Sequence, residues 1–216
     1  MPTTPLLPSA RTLLVLLATV VLALAVPALA NPAHAYPPDP SSPSVAAQRL
    51  AGLTVSAEDG SGYDRDLFPH WSTVESPCDT RETVLVRDGS GVVVDSACRA
   101  TGGSWYSVYD AVWVEDSGSV DIDHMVPLAE AWASGADGWT TAQREAFAND
   151  LTNPQLIAVS ASSNRSKSDR DPAEWQPPNT SVHCVYVRQW IDVKHVYDLS
   201  VDAAEKAALE QMLGTC

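Results

Sequence analysis

The sequence predicts an α+β fold stabilised by disulfides, on three observations. Two short apolar runs, at 120–123 and 156–159, are long enough for strands and too short for helices. Helical spacing lies between them, at 128–134 and 141–150, and after them, at 181–197 and 201–213. Four cysteines, Cys78, Cys98, Cys184 and Cys216, suit two bridges in an oxidising compartment.

The chain divides into three parts. Residues 1–30 carry Arg11, an apolar run from Thr12 to Val26 and then Ala28-Leu29-Ala30, the make-up of a secretory signal peptide. The run falls short of the ~20 residues that span a bilayer. Ala33-His34-Ala35 offers a second cleavage site, and an uncleaved anchor is the alternative. Residues 31–58 read as a Pro/Ser-rich linker holding Pro37, Pro38, Pro40 and Pro43, within which 45–53 has spacing for a short helix. Residues 59–216 are long enough for one domain with its own core, and nothing in them could cross a membrane.

Within that domain, residues 83–95 read as a β-hairpin across Asp88-Gly89-Ser90-Gly91, which Cys78 and Cys98 flank. Of the three possible pairings we favour Cys78–Cys98 and Cys184–Cys216, the second tying the two closing helices. No pair has the close spacing of a zinc site. Residues 105–114 are aromatic and β-branched and read as a strand beside 120–123, with core packing preferred over base stacking.

The chemistry concentrates between 120 and 167. Asp123 and His124 end the first strand, Asn153 precedes the second, and Asn164 and Lys167 lie three apart on the helix that starts near Ser160. That set suits phosphodiester hydrolysis with one metal ion. His124 is the natural general base. Asp123 and the side-chain oxygen of Asn164 are hard ligands suited to Mg²⁺, with Mn²⁺ or Ca²⁺ as alternatives. Asn153 is placed to orient the imidazole, either by a direct hydrogen bond or by shaping the loop behind it. Lys167 suits a phosphate as a point charge.

With those residues in place, the chain resembles the HNH endonucleases, the ββα-metal nucleases. It is most similar to secreted actinobacterial HNH-family proteins related to the C-terminal nuclease domain of modification-dependent restriction enzymes. Asp123-His124, Asn153 and N-x-x-K at 164–167 carry the resemblance. G-Y-D-R-D-L-F at 62–68, C-D-T-R at 78–81, F-A-N-D at 147–150, W-Q-P-P at 175–178 and C-V-Y-V at 184–187 extend it. It implies a ββα-metal core with an added N-terminal β-hairpin and C-terminal helices. It implies His124 as base, Asn153 as the residue that orients it, and Asp123 with Asn164 as metal ligands. Asn164 stands where many relatives carry histidine, which shifts the preferred metal from Zn²⁺ toward Mg²⁺. The resemblance puts Arg81 as a phosphate clamp level with its plainer reading as a structural salt bridge.

Other residues have plainer readings. Asp121 shares a strand face with Asp123 and is a minor candidate for a supporting acid. Arg165 and Arg170 form a basic cluster with Lys167 that is either a phosphate contact or a solvated face. His70, Trp71, His183 and His195 read as packing or surface residues.

Net charge is −14, and one unit more negative once Arg11 leaves with the leader. That excludes tight backbone binding through a broad basic face. The expectation is a monomeric extracellular endonuclease that binds DNA weakly and without sequence preference, RNA being the other candidate substrate. A non-catalytic cation-binding or cell-surface module and a hydrolase of another phosphodiester are the alternatives.

Overall fold

The structure, a computed structural model, describes residues 1–3 and 37–216. The expected cleavage positions at Ala30 and Ala35, and all but the first three residues of the leader, lie outside the described residues. The fold is mixed α+β. No described helix is long and apolar enough to cross a membrane.

Folded structure begins earlier than residue 59. Helix α1 (Pro43–Gly52) starts on Ser42, whose side chain accepts from the Val45 amide, with Pro43 in the first turn. Its Ala46 and Leu50 enter the main core, against α6 (His183–Val196) and α7 (Ala203–Leu213). Arg49 pairs with Asp192 of α6 at 2.7 Å, and the Ser41 amide and hydroxyl donate to the same carboxylate at 2.6 Å each. Part of the expected linker is therefore core.

The hairpin expected over 83–95 is a helix followed by a strand. Strands β1 (Thr73–Glu75) and β2 (Cys78–Asp79) pair antiparallel, and α2 (Thr80–Asp88) follows at once. The Asp79 carboxylate accepts from the Glu82 amide while Glu82 accepts from the Asp79 amide, a reciprocal cap that commits Thr80–Asp88 to helix. Thr80, Val84 and Leu85 then recur at helical spacing on its buried face. Gly89 carries the chain out of this helix. A Cβ there would lie 2.5 Å from the Trp105 indole nitrogen and 2.9 Å from the Leu85 carbonyl oxygen. The indole uses that space to donate to the same carbonyl at 2.8 Å.

β3 (Gly89–Val94) pairs with β4 (Ala100–Ser107), and β4 with β5 (Val112–Val114), so the added sheet has three strands. The 105–114 run is thus the hairpin between β4 and β5, with Ala111 at φ 58°, and it does not pair with the 120–123 strand.

β6 (Val120–His124) and β7 (Leu156–Ser160) form a separate antiparallel pair, Asp123 opposite Ile157. The connection between them contains α3 (Leu128–Ala133) and α4 (Thr141–Ala148). Helix α5 (Ala161–Lys167) leaves β7 directly, starting on the Ser160 hydroxyl, which accepts from the Ser163 amide at 3.2 Å. The free edge of β7 is met by α2: Asp88 accepts from the Ala158 amide at 2.8 Å and Arg87 donates to the Leu156 carbonyl at 2.5 Å. Val84, Leu85, Trp105, Val120, Ile122, Leu156 and Ala158 fill the small core between. Both favoured disulfides form, Cys78–Cys98 and Cys184–Cys216, 20 and 32 residues apart in sequence. Chain-entropy arguments assign each roughly 3–4 kcal/mol.

Lys194 of α6 is fully buried and holds α3 to α7. It donates to Glu130, to Glu205 at 3.2 Å and to the Ser200 carbonyl at 2.8 Å. Glu58 lies beside the two carboxylates. One ammonium cannot neutralise this many acids. Burial, with Glu130 adding to it, pushes Glu205 up to about 8, and burial with the Glu130 charge pushes Glu58 up to about 7. A carboxyl raised in this way contributes stability that is complete below its ordinary 4.5 and is lost as pH rises through about 8. The denaturant midpoint should therefore rise as pH is lowered from about 8 to about 5, and Glu205→Gln should flatten that rise. A Glu205→Gln profile parallel to the wild type would refute the assignment.

Candidate functional site

A cleft of about 160 Å³ is lined by Asp123 and His124 from the end of β6, by Asn164 and Arg165 from α5, and by Tyr63 and Arg65 from the segment before β1. Three of the six residues singled out for chemistry thus line the cleft, Lys167 lies buried against Asp123, and Asn153 and Arg81 are not among the lining residues.

His124 is 5 % exposed, and its Nε2 donates to the Ala148 carbonyl at the end of α4, 2.9 Å away. A carbonyl only accepts, so Nε2 carries the proton. Burial drives the imidazole pKa down to about 3, so the ring is neutral and Nδ1 holds a free lone pair. Nδ1 has no protein partner among the described residues. Trp71 stacks on the ring, centroids 5.7 Å apart and planes 29° off parallel. Its backbone sits at φ 61°, a costly conformation for a bulky side chain. Asn149, which caps α4, holds this segment by accepting from the Ser72 amide at 2.9 Å and donating to the Pro69 carbonyl at 2.9 Å. Sequence reading took Trp71 for a packing residue. It does pack, but on the candidate base, and no sequence signal connects positions 53 residues apart.

Asp123 is buried, and both its oxygens accept from the Lys167 ammonium, at 2.9 and 2.7 Å. Tyr109 donates to it at 2.7 Å. Lys167 has no exposed surface and donates also to the His124 carbonyl at 2.7 Å. Burial pushes Asp123 up and Lys167 down, while each holds the other charged. The structure places Lys167, expected to meet a phosphate, as the fully buried counter-ion of Asp123.

Asn164 donates through Nδ2 to Asp121 at 3.1 Å, with Arg165 3.5 Å from the same carboxylate. A carboxylate only accepts, so Asp121 decides which way the amide faces and leaves Asn164 Oδ1 without a protein partner among the described residues. Asn153 makes no bond to His124. Its Nδ2 donates to Asp150 at 2.7 Å and its backbone N–H to the same carboxylate at 3.0 Å, so it shapes the loop ahead of β7. The Ala148 carbonyl has the place at Nε2 that a direct Asn153 bond would need.

Arg81 is not among the residues that line the cleft. From α2 it donates to the Ser117 and Val120 carbonyls, at 3.4 and 3.3 Å, bracing the start of β6 away from the cleft. Arg170 donates to the Lys167 carbonyl at 3.2 Å. His183 makes its bond to the Pro177 carbonyl at 2.8 Å. Among the described residues no cluster of three His, Cys, Asp or Glu side chains includes Asp123; both such clusters centre on Glu58.

Lys167→Met should cost roughly 3–5 kcal/mol in urea titration, because it strands a buried carboxylate. Adding Asp123→Asn should recover part of that loss, and a Lys167→Met protein as stable as the wild type would refute the buried pair. Trp71→Ala should let diethyl pyrocarbonate modify His124 severalfold faster, with exposed His195 as the internal reference. An unchanged rate would show that Trp71 does not shield the ring.

The family model for GmrSD restriction endonucleases, C-terminal domain, matches residues 98–212, just over half of the chain. An uncharacterized secreted protein of Arthroderma benhamiae is 58% identical over 177 residues, covering 81% of this chain and 86% of that protein. That relative is fungal, and nothing in the comparison points to an actinobacterial origin. No solved structure matches. Together with two disulfides, the secreted relative makes this an extracellular protein. By the length matched and by that identity, the chain belongs to the family of the GmrSD restriction endonuclease C-terminal domain.

Proposed function

We propose that this protein is a secreted, metal-dependent endonuclease that hydrolyses DNA, or RNA, with little sequence preference, on a ββα-metal core formed by β6, β7 and α5. The observation that carries the reading is His124 itself. It is a neutral imidazole with one nitrogen tied to a carbonyl and the other free, in a cleft shared with Asp123, Asn164 and two arginines.

The donor set fits a hard divalent ion. Asn164 Oδ1 has no protein partner, and the Asp123 carboxylate, with about four lone-pair sites, uses three on Lys167 and Tyr109. Two protein oxygens suit Mg²⁺, which keeps several waters, with Mn²⁺ or Ca²⁺ as alternatives. Such an ion, when bound, acidifies water and neutralises charge on phosphate oxygens. His124 Nδ1 takes the proton of the attacking water. The Ala148 carbonyl, bonded to Nε2–H, stabilises the imidazolium that results, and the anionic substrate favours the same charged form. Trp71 keeps the ring in one orientation. Asn153 acts at a distance, through the loop that precedes β7.

A second reading has one observation in its favour. Lys167 already neutralises the carboxylate expected to hold the metal. A non-catalytic module on this fold would bind without cutting.

Plasmid nicking by the oxidised protein decides between them. Cutting should require Mg²⁺ or Mn²⁺, stop with EDTA, and fall by about 10²–10⁴ in His124→Ala, the usual worth of a general base. Equal cutting by His124→Ala would sink the proposal.

A further inference from the structure

Phosphodiester chemistry needs a cation on the phosphate, and the cations that the sequence put forward are committed elsewhere. Lys167 is sealed under Asp123, Arg81 braces β6 and Arg170 bonds a backbone carbonyl. Arg165 lines the cleft but lies 3.5 Å from Asp121. Arg65 is different. It is exposed, lines the cleft beside His124 and Asn164, and pairs with no carboxylate within salt-bridge distance among the described residues. Its side-chain partner is the Tyr63 hydroxyl, another lining residue.

The segment that carries it is braced from two helices. Arg65 opens a single turn, Arg65–Leu67, capped by Asp64, whose carboxylate accepts from the Asp66 amide at 2.9 Å. Phe68 is fully buried just beyond. Arg144 of α4 donates to the Leu67 carbonyl at 2.9 Å, and Trp132 of α3 donates to the Ser61 carbonyl at 2.9 Å. A guanidinium with no carboxylate partner among the described residues, on a braced backbone in a chain of net charge −14, is placed for an anion, and its planar fork matches phosphate oxygens.

We propose that Arg65 is the phosphate-binding residue of this site and grips the strand being cut. The proposal rests on the nuclease reading for its substrate, a single nucleic-acid strand drawn through the cleft.

The test separates the two. Binding of a labelled single-stranded oligonucleotide is titrated in EDTA at several salt concentrations, for wild type, Arg65→Gln, Arg65→Lys and the remote control Arg99→Gln. Cutting is measured in parallel with Mg²⁺. Arg65→Gln should bind about tenfold more weakly, in line with loss of a charge-assisted hydrogen bond. Its log-affinity against log-salt slope should be shallower by about 0.7, the share of one phosphate contact on a single strand. Arg65→Lys should keep the slope and recover part of the affinity, and Arg99→Gln should match the wild type. Melting curves should superimpose. If Arg65→Gln keeps the wild-type affinity and slope, Arg65 is not the phosphate contact, whether or not the protein cuts. If binding depends on Arg65 but no metal supports cutting, the nuclease reading falls and the phosphate site stands. Absence of oligonucleotide binding by the wild type in EDTA overturns the Arg65 assignment, and absence of cutting with Mg²⁺ or Mn²⁺ as well overturns both.

Discussion

The ammonium of Lys167 under the Asp123 carboxylate is the contact on which the rest of the site depends. Taking both charges out of water costs several kcal/mol each, and only close geometry offsets that cost. Here the lysine meets three oxygens and the carboxylate gains a tyrosine hydroxyl as well. The pair locks the last turn of α5 onto the end of β6. Asn164, one turn earlier on the same helix, is thereby set at the cleft. The His124 carbonyl, held by the same ammonium, fixes the backbone from which the imidazole projects.

Around that lock, neighbouring elements restrict the imidazole from two sides. The end of α4 supplies both the Ala148 carbonyl that orients the ring and the Asn149 side chain that pins Trp71 over it. The insertion between the two strands is therefore part of the site. Helix α2 performs the matching task for the sheet, satisfying the edge of β7 through Arg87 and Asp88 and the start of β6 through Arg81. A two-stranded sheet is marginal alone. Flanked by α2 and α5 it is rigid enough to hold a carboxylate and an imidazole in fixed register.

The misread elements fail for a common reason. Val84 and Leu85 look like strand residues because hydrophobicity there does not separate a strand from a short helix. The Asp79–Glu82 cap decides for helix, and its signal begins four residues before the expected hairpin. The 105–114 run was long and β-rich, yet a left-handed residue at Ala111 folds it back on itself. Arg81 is put forward by the resemblance and by its guanidinium, Lys167 by its charge and its place in N-x-x-K. The structure sends one to backbone carbonyls and the other into the core, and neither lines the cleft.

Local spacing by itself determined the strand–strand–helix order, the closing helices and the adjacency of Asp123 to His124, because these depend on periodicity and short-range chemistry. Only the tertiary structure decided which charges are sealed and which face the cleft. Burial is a property of what packs from distant parts of the chain: Trp71 over His124, Tyr109 and Trp190 around Lys167, α4 behind the loop of Asn153. The same desolvation that turns a basic side chain into a core counter-ion holds the imidazole neutral, and no run of neighbouring residues encodes it.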